Sequence, residues 1–256
     1  MQFIDRLLRG RPSYLVPAAA ASCIGVLLIG LSIDRVLAAS YLLPVTGTLW
    51  KLDEGGEGIS DEEFARANIS LSQALAQDPA SPDLYDKYGS LLLAWADLAQ
   101  QDEALKTARF DLAADALSHA VARAPQNSAI WARLAYATMR AEGFSEMALN
   151  ALRMSYFSGR LDFRVMPLRL SISLKHWDAL PSAYQREAAW QLATMWQYRS
   201  AQSALFLLYL NLGNSERALL RKLLPASAET LPEFDHRLEV WLKRRAPTDI
   251  RERYLR

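Results

Sequence analysis

The chain has 256 residues and carries 29 Lys and Arg against 28 Asp and Glu, so no global charge points to nucleic acid. Hydrophobic residues make up 51% and charged residues 22%, a composition suited to a packed core and too apolar for disorder. The one cysteine, Cys23, excludes an intramolecular disulfide and a thiolate metal site.

Residues 1–13 form a short tip with Arg6, Arg9 and Arg11 against Asp5. Tyr14 to Ile33 then runs without a charge. At about 1.5 Å per residue it covers roughly 30 Å, the hydrocarbon thickness of a bilayer. A transmembrane helix is therefore expected over 14–36. Asp34 and Arg35 cancel beyond the run, so the positive-inside rule keeps the N-terminus cytoplasmic and exports the rest. The expected location is the inner (plasma) membrane, single-pass, with a periplasmic or extracytoplasmic C-terminal domain. A cleaved signal peptide has an apolar run of about 7–15 residues. Val36-Leu37-Ala38 is a passable cleavage site, but the run is too long and Asp34-Arg35 interrupts the approach. A lipoprotein would need its apolar run to end at Cys23, yet Ile24 to Leu31, the most apolar stretch, follows it. Ala21 and Gly25 have the small-xxx-small spacing that lets two helices approach, which allows a homodimer.

Residues 37–59 read as a juxtamembrane linker with an apolar patch, Tyr41-Leu42-Leu43-Pro44, and three glycines, Gly55, Gly56 and Gly58. The patch is expected at the bilayer interface or against the first helices. Ser60-Asp61-Glu62-Glu63 is a capping box. Phe64, Ile69, Leu71 and Ala74 follow at helical spacing, up to Asp78-Pro79. Ser81-Pro82 opens a second helix with Tyr85, Tyr88, Leu92 and Trp95 on one face. A third spans about Ala104 to Arg123. Asn127-Ser128 opens a fourth, with Trp131, Leu134, Ala135 and Met139 in phase, and Ser145 caps a fifth that reaches about Gly159.

Gly143-Phe144-Ser145-Glu146-Met147-Ala148 recurs as Gly213-Asn214-Ser215-Glu216-Arg217-Ala218. In each copy the glycine is expected to stop one helix in the left-handed region and the serine to cap the next. Alanine lets the two helices approach. Between the copies, Met166, Leu168, Leu170, Ile172 and Leu174 alternate and alone read as a strand. Leu170, Leu174 and Trp177 also fit a helix with Pro167 in its first turn, and the all-helical setting favours that. Ser182-x-x-Gln185 and Thr230-x-x-Glu233 read as further caps. The last helix carries Phe234, Leu238, Trp241 and Leu242, and a basic tail occupies 246–256.

Tyr85-x-x-Tyr88-Gly89 with Ala113, Leu117, Ala120 and Pro125, then Trp131-x-x-Leu134-Ala135 with Met147, Ala151 and Met154, resembles the tetratricopeptide repeat (TPR) family. The resemblance is good over residues 62–158 and fainter over 199–225. It departs from the pattern between Tyr85 and Trp131, where about twelve extra residues lengthen the unit. It implies an all-α, TPR-like α-solenoid of helical hairpins over 60–245. Tyr85, Gly89, Ala113, Trp131, Leu134, Ala148, Gly213 and Ala218 are the expected repeat-packing residues, and a concave surface would bind a peptide or protein.

Chemistry-bearing residues are sparse. His119, His176 and His236 have no second ligand at metal-binding spacing. No nucleotide-binding glycine loop or nucleophile elbow is present. Asp61-Glu62-Glu63 suits the positive end of a helix better than a metal. Asn68-Ile69-Ser70 is a glycosylation triplet inside an expected helix. Trp131, Trp177 and Trp196 fall at core phases, although one or two tryptophans could line a groove. No catalytic, cofactor-binding or metal residue is assigned, no cofactor is expected, and the chain reads as a non-enzyme.

Charge is uneven along the chain. Leu52 to Leu105 holds twelve acidic residues against Arg66 and Lys87, whereas Arg160 onward holds sixteen basic against ten acidic. Such polarity favours oriented docking, although solvated helix faces account for most counts of this kind. The expected function is a membrane-anchored protein–protein interaction scaffold whose partners are other membrane or envelope proteins and, through 14–36, the lipid bilayer. Arg169-Leu170, Trp177-Asp178-x-Leu180-Pro181 and the helix containing Gln191 resemble small anchored TPR-like proteins of bacterial polysaccharide biosynthesis. That resemblance implies an accessory factor of a polymerising membrane complex. Alternatives are an assembly factor for another envelope complex, such as cytochrome c maturation, and a glycan-acting enzyme. The last would need two carboxylates in one cleft, which nothing in the sequence places.

Overall fold

The computed structural model describes residues 15–53, 58–98, 102–225 and 230–244, and every regular element among them is helical. The basic residues of the tip and the tail 246–256 lie outside the described residues. Contacts divide the chain into two compact units, Met1–Gln100 and Gln101–Arg256. The span 60–245 expected as one repeat domain runs through both.

The first unit opens with α1 (Leu15–Leu42), continues through a 3-10 turn (Leu43–Val45) into α2 (Thr46–Asp53), and adds α3 (Asp61–Gln77) and α4 (Pro82–Leu98). Of the described helices, one (the run Pro17–Leu52) is long and apolar enough to cross a membrane. Its two ends differ. Ile24, Val26, Leu27, Leu28 and Ile29 are exposed, whereas Ala38 and Val45 are buried against Phe64, Ala67, Leu71 and Ala74 of α3. Residues 37–53 therefore do not form an open linker: Ala38, Leu42, Val45, Leu49 and Leu52 recur every three or four residues and lay one stripe on α3.

α3 starts where the capping box is expected. Glu63 N–H donates to Ser60 Oγ at 3.2 Å, and Ser60 N–H donates to Glu63 Oε2 at 2.9 Å. Lys51 Nζ, 2.8 Å from Glu63 Oε1, ties α2 to the same carboxylate. These bonds, Lys51 first, hold the Glu63 carboxyl down from 4.5 to about 2. A carboxylate depressed in the folded state stabilises above its unfolded value and loses that effect as pH falls through the folded one. Acid titration from pH 4.5 to about 2 should therefore lower the melting temperature of the native chain more than that of Glu63→Gln. Equal slopes would refute the coupling. Behind the cap, Trp95 stacks on Phe64 at 5.8 Å and its indole donates to Asp61 at 2.9 Å, so α3 and α4 form a hairpin.

The second unit contains α5 (Glu103–Arg123), α6 (Ser128–Glu142), α7 (Glu146–Ser158), α8 (Met166–Lys175), α9 (Ser182–Gln197), α10 (Arg199–Asn211), α11 (Asn214–Leu223) and α12 (Thr230–Arg244). α5 pairs with α6, α6 with α7, α8 with α9 and α9 with α10, the hairpin pairing of a helical-repeat architecture. The segment that alternates, 166–174, is helix, with Pro167 in its first turn. Leu170, Leu174, Leu192, Met195, Leu205, Phe206 and Phe234 form the core of the α8–α12 part.

The two related hexamers fold differently. Gly143 has φ +85° and Ser145 Oγ accepts from Ala148 N–H at 3.3 Å, so this copy stops one helix and caps the next. Gly213 has φ −69° and is itself the N-cap of α11, and Ser215 lies inside the first turn, bonded to Glu216. The left-handed stop expected at Gly213 is thus absent, because α10 ends at Asn211 and leaves only Leu212 to make the connection. Ser182 is likewise not a cap. Pro181 holds that position, and Gln185 turns back to donate to Trp177 O at 2.8 Å.

Candidate interaction surface

The residues expected to pack repeats fall in different surroundings. Gly89 is buried and Tyr85 half-buried in α4, both in the first unit. Ala113 of α5, Leu134 of α6 and Ala148 of α7 are buried on consecutively paired helices. Trp131 is half-buried and donates its indole N–H to Pro125 O at 2.8 Å. Gly213 and Ala218 are exposed. Trp196 is buried and Trp177 half-buried. Asn68 lies within α3. Among the described residues no three His, Cys, Asp or Glu converge as metal ligands. His119 is on α5 beside Asp115, and His236 is on α12. His176, after α8, stacks on Phe144 at 4.8 Å, and burial pulls its pKa below the ordinary value.

Sequence reasoning did not anticipate that Arg169 is entirely buried. Its Nε donates to Ser155 Oγ at 2.8 Å, Nη1 to Gly159 O at 3.0 Å and Nη2 to Ser155 O. Ser155 Oγ in turn donates to Ser128 O at 2.7 Å. One guanidinium therefore joins the end of α7 to the start of α6 and to α8. It meets carbonyls that a helix end leaves without partners, at the negative end of the helix dipole. The charge also lies 5.3 Å from the Tyr156 ring centre, and the Tyr156 hydroxyl bonds Ser173 Oγ at 3.0 Å. Burial pushes that phenol up to about 12 and draws the guanidinium below its usual value. A signal was present in sequence: Met166, Arg169, Leu170, Ser173 and Leu174 share one helical face, and the arginine stands in the middle of it.

Arg169, Leu170 and Leu180, three residues of the polysaccharide-related resemblance, are thus framework. So is Gln191, buried and donating to Arg160 O at 3.0 Å. They hold helices together and present nothing to a ligand.

An outward-facing arrangement lies between α10 and α12. A groove of ≈ 330 Å³ is lined by Arg199, His236, Arg237 and Arg244 over Phe206 and Trp241. Arg237 is committed, bonded to Glu233 and 4.8 Å over the Trp196 ring. Trp241 is fixed by its indole N–H to Ser203 Oγ at 3.1 Å. Arg199 and Arg244 are exposed and meet no carboxylate among the described residues. Two guanidiniums without a carboxylate among the described residues, set over an aromatic floor, can receive a carboxylate or phosphate together with an apolar neighbour. They supply no nucleophile. Compared with known proteins, the chain matches no family model, no curated protein and no solved structure.

Proposed function

We propose that the chain is a membrane-anchored helical adaptor of TPR-like construction, which binds a partner protein beside the bilayer and catalyses no reaction. One observation carries the reading: α1 exposes its apolar side chains from Ile24 to Ile29 and at Ile33, passes the charged pair Asp34-Arg35, and within the same helix buries Ala38 in the core of the first unit. Cleavage at Val36-Leu37-Ala38 would cut inside that helix, next to a residue buried in the core, which favours a retained anchor over a removed signal. The groove between α10 and α12 is the partner contact, and its charge selects an acidic segment. The narrower form of the reading, an accessory of a polysaccharide-polymerising complex, rests on the resemblance of residues 169–191 alone.

The test uses the full chain in native membranes. Carbonate washing should leave it in the pellet, and proteins co-purified in mild detergent should be lost on Arg199→Glu with Arg244→Glu while helicity persists. Release by carbonate would refute the anchor. Unchanged co-purification after the double reversal would remove the groove from the contact.

A further inference from the structure

One helix carries two apolar stripes, and only one of them is covered. The stripe Ala38, Leu42, Val45, Leu49 and Leu52 packs on α3. Val36, Ser40, Leu43, Gly47 and Trp50 recur at steps of four, three, four and three on the other side of the same helix. Val36 is 65% exposed, Leu43 74% and Trp50 62%. The same steps run back through Ile33, Ile29 and Val26, all exposed. Alternation of three and four is the seam of a coiled coil, in which each apolar residue enters a hole on a facing helix. The two small positions, Ser40 and Gly47, suit close approach. Ser40 adds no polar demand, because its hydroxyl already donates to Leu37 O at 2.6 Å. A Cβ placed at Gly47 would meet nothing within 4 Å. Of the residues that flank the seam, Ser32, Leu37, Ala39, Pro44 and Thr46 carry no charge, and Lys51, beside Trp50, is paired with Glu63 at 2.8 Å.

We propose that this seam pairs in parallel with the same seam of a second copy of the chain. The inference rests on the anchor reading for its polarity: copies inserted in one membrane with one topology present their helices side by side and pointing the same way. The competing occupant is the lipid surface. Leu43 and Trp50 lie ten and seventeen residues beyond Ile33, about 15 and 25 Å along a helix. A flat interface meets a rising helix at one level, whereas the stripe climbs, and the end of α1, the turn and α2 all follow α3. A second rising helix meets the stripe at every level. Ala21 and Gly25, the small pair noted in the sequence, lie to one side of this seam.

The experiment is disulfide trapping of the full chain in native membranes, in a Cys23→Ser background. Single substitutions Val36→Cys, Leu43→Cys and Trp50→Cys are compared with Tyr41→Cys, off the seam. Bonds between identical residues at all three positions require parallel, in-register helices, since an antiparallel pair joins only the position on its two-fold axis. The three seam positions should cross-link at least about tenfold faster than position 41. Adding Leu43→Glu to the Trp50→Cys chain should cut the dimer about tenfold, since a buried leucine is lost from each copy. Leu43 is exposed in the single chain, so the fold stands in that variant. Monomers at positions 43 and 50 would overturn the proposal. If those cysteines are also shielded from an aqueous maleimide, lipid or another protein covers the stripe; if they label freely, the stripe is open. A carbonate wash of the same membranes reports the anchor separately, and the trapping pattern still decides the seam if the chain washes off.

Discussion

Arg169→Ala is expected to lower the stability of the second unit by about 3–5 kcal/mol, the cost of removing one member of a buried, charge-assisted network. The substitution deletes three donors at once and leaves the buried Ser155 O and the half-buried Gly159 O without the partner that ended α7. It also opens a cavity beside Tyr156. Because the guanidinium bridges α6, α7 and α8, the loss falls on three helices and cannot be absorbed by one shifting. Arg169→Lys keeps the charge but not the planar fork, and should fall between the native chain and Arg169→Ala. Circular dichroism melts of the full chain in detergent read the effect as a drop on the order of 10 °C. A drop of less than about 1 °C would show that the carbonyls find other donors at no cost.

A loss of similar size, about 3–5 kcal/mol, is expected for Phe234→Ala. The ring is fully buried and stands at the centre of an aromatic group: Tyr209 at 5.1 Å, Phe206 at 5.6 Å and Trp196 at 5.8 Å. Phe234 is what α12 inserts between α9 and α10. Around it, Arg221 forms a two-pronged pair with Asp235 at 2.5 and 2.9 Å and holds that carboxyl below its usual range. This outer pair is half exposed and contributes little by comparison. Removing the ring should therefore free α12 while α8 to α10 persist. Limited proteolysis should then cut within α12 much faster than in the native chain, and the groove containing Trp241 should lose its floor. Unchanged proteolysis would mean that Trp241 and Leu242 dock the helix unaided.

The helices were legible because their ends are chemical. Ser60, Ser81, Asn127 and Ser145 each place a side-chain oxygen on the first free N–H groups of the helix that follows. The all-helical setting also resolved 166–174, where alternation alone pointed to a strand. Caps misled where a neighbour competed. At Ser182, Pro181 takes the cap position and Gln185 is diverted to Trp177 O. Gly213 repeats the letters of Gly143 without its conformation, since φ is set by where the preceding helix stops and not by the residue alone. The groove was not legible at all. Arg199 and Arg244 are 45 residues apart, and only the packing of α12 on α10 makes them neighbours. The stripe of Val36, Leu43 and Trp50 was hidden by a different assumption, that glycines nearby make residues 37–59 a linker.

The unbroken passage of α1 into the first unit has a torsional consequence. A linker takes up twist, whereas a helix transmits it, so whatever grips residues 24–33 also sets the bearing of α3 around the helix axis. Each residue inserted or removed between Ile33 and Ala38 would turn the two ends by about 100° and change their separation by about 1.5 Å. Chain length there works as an angle, and two molecules differing by a single residue in that stretch would face different neighbours with identical surfaces.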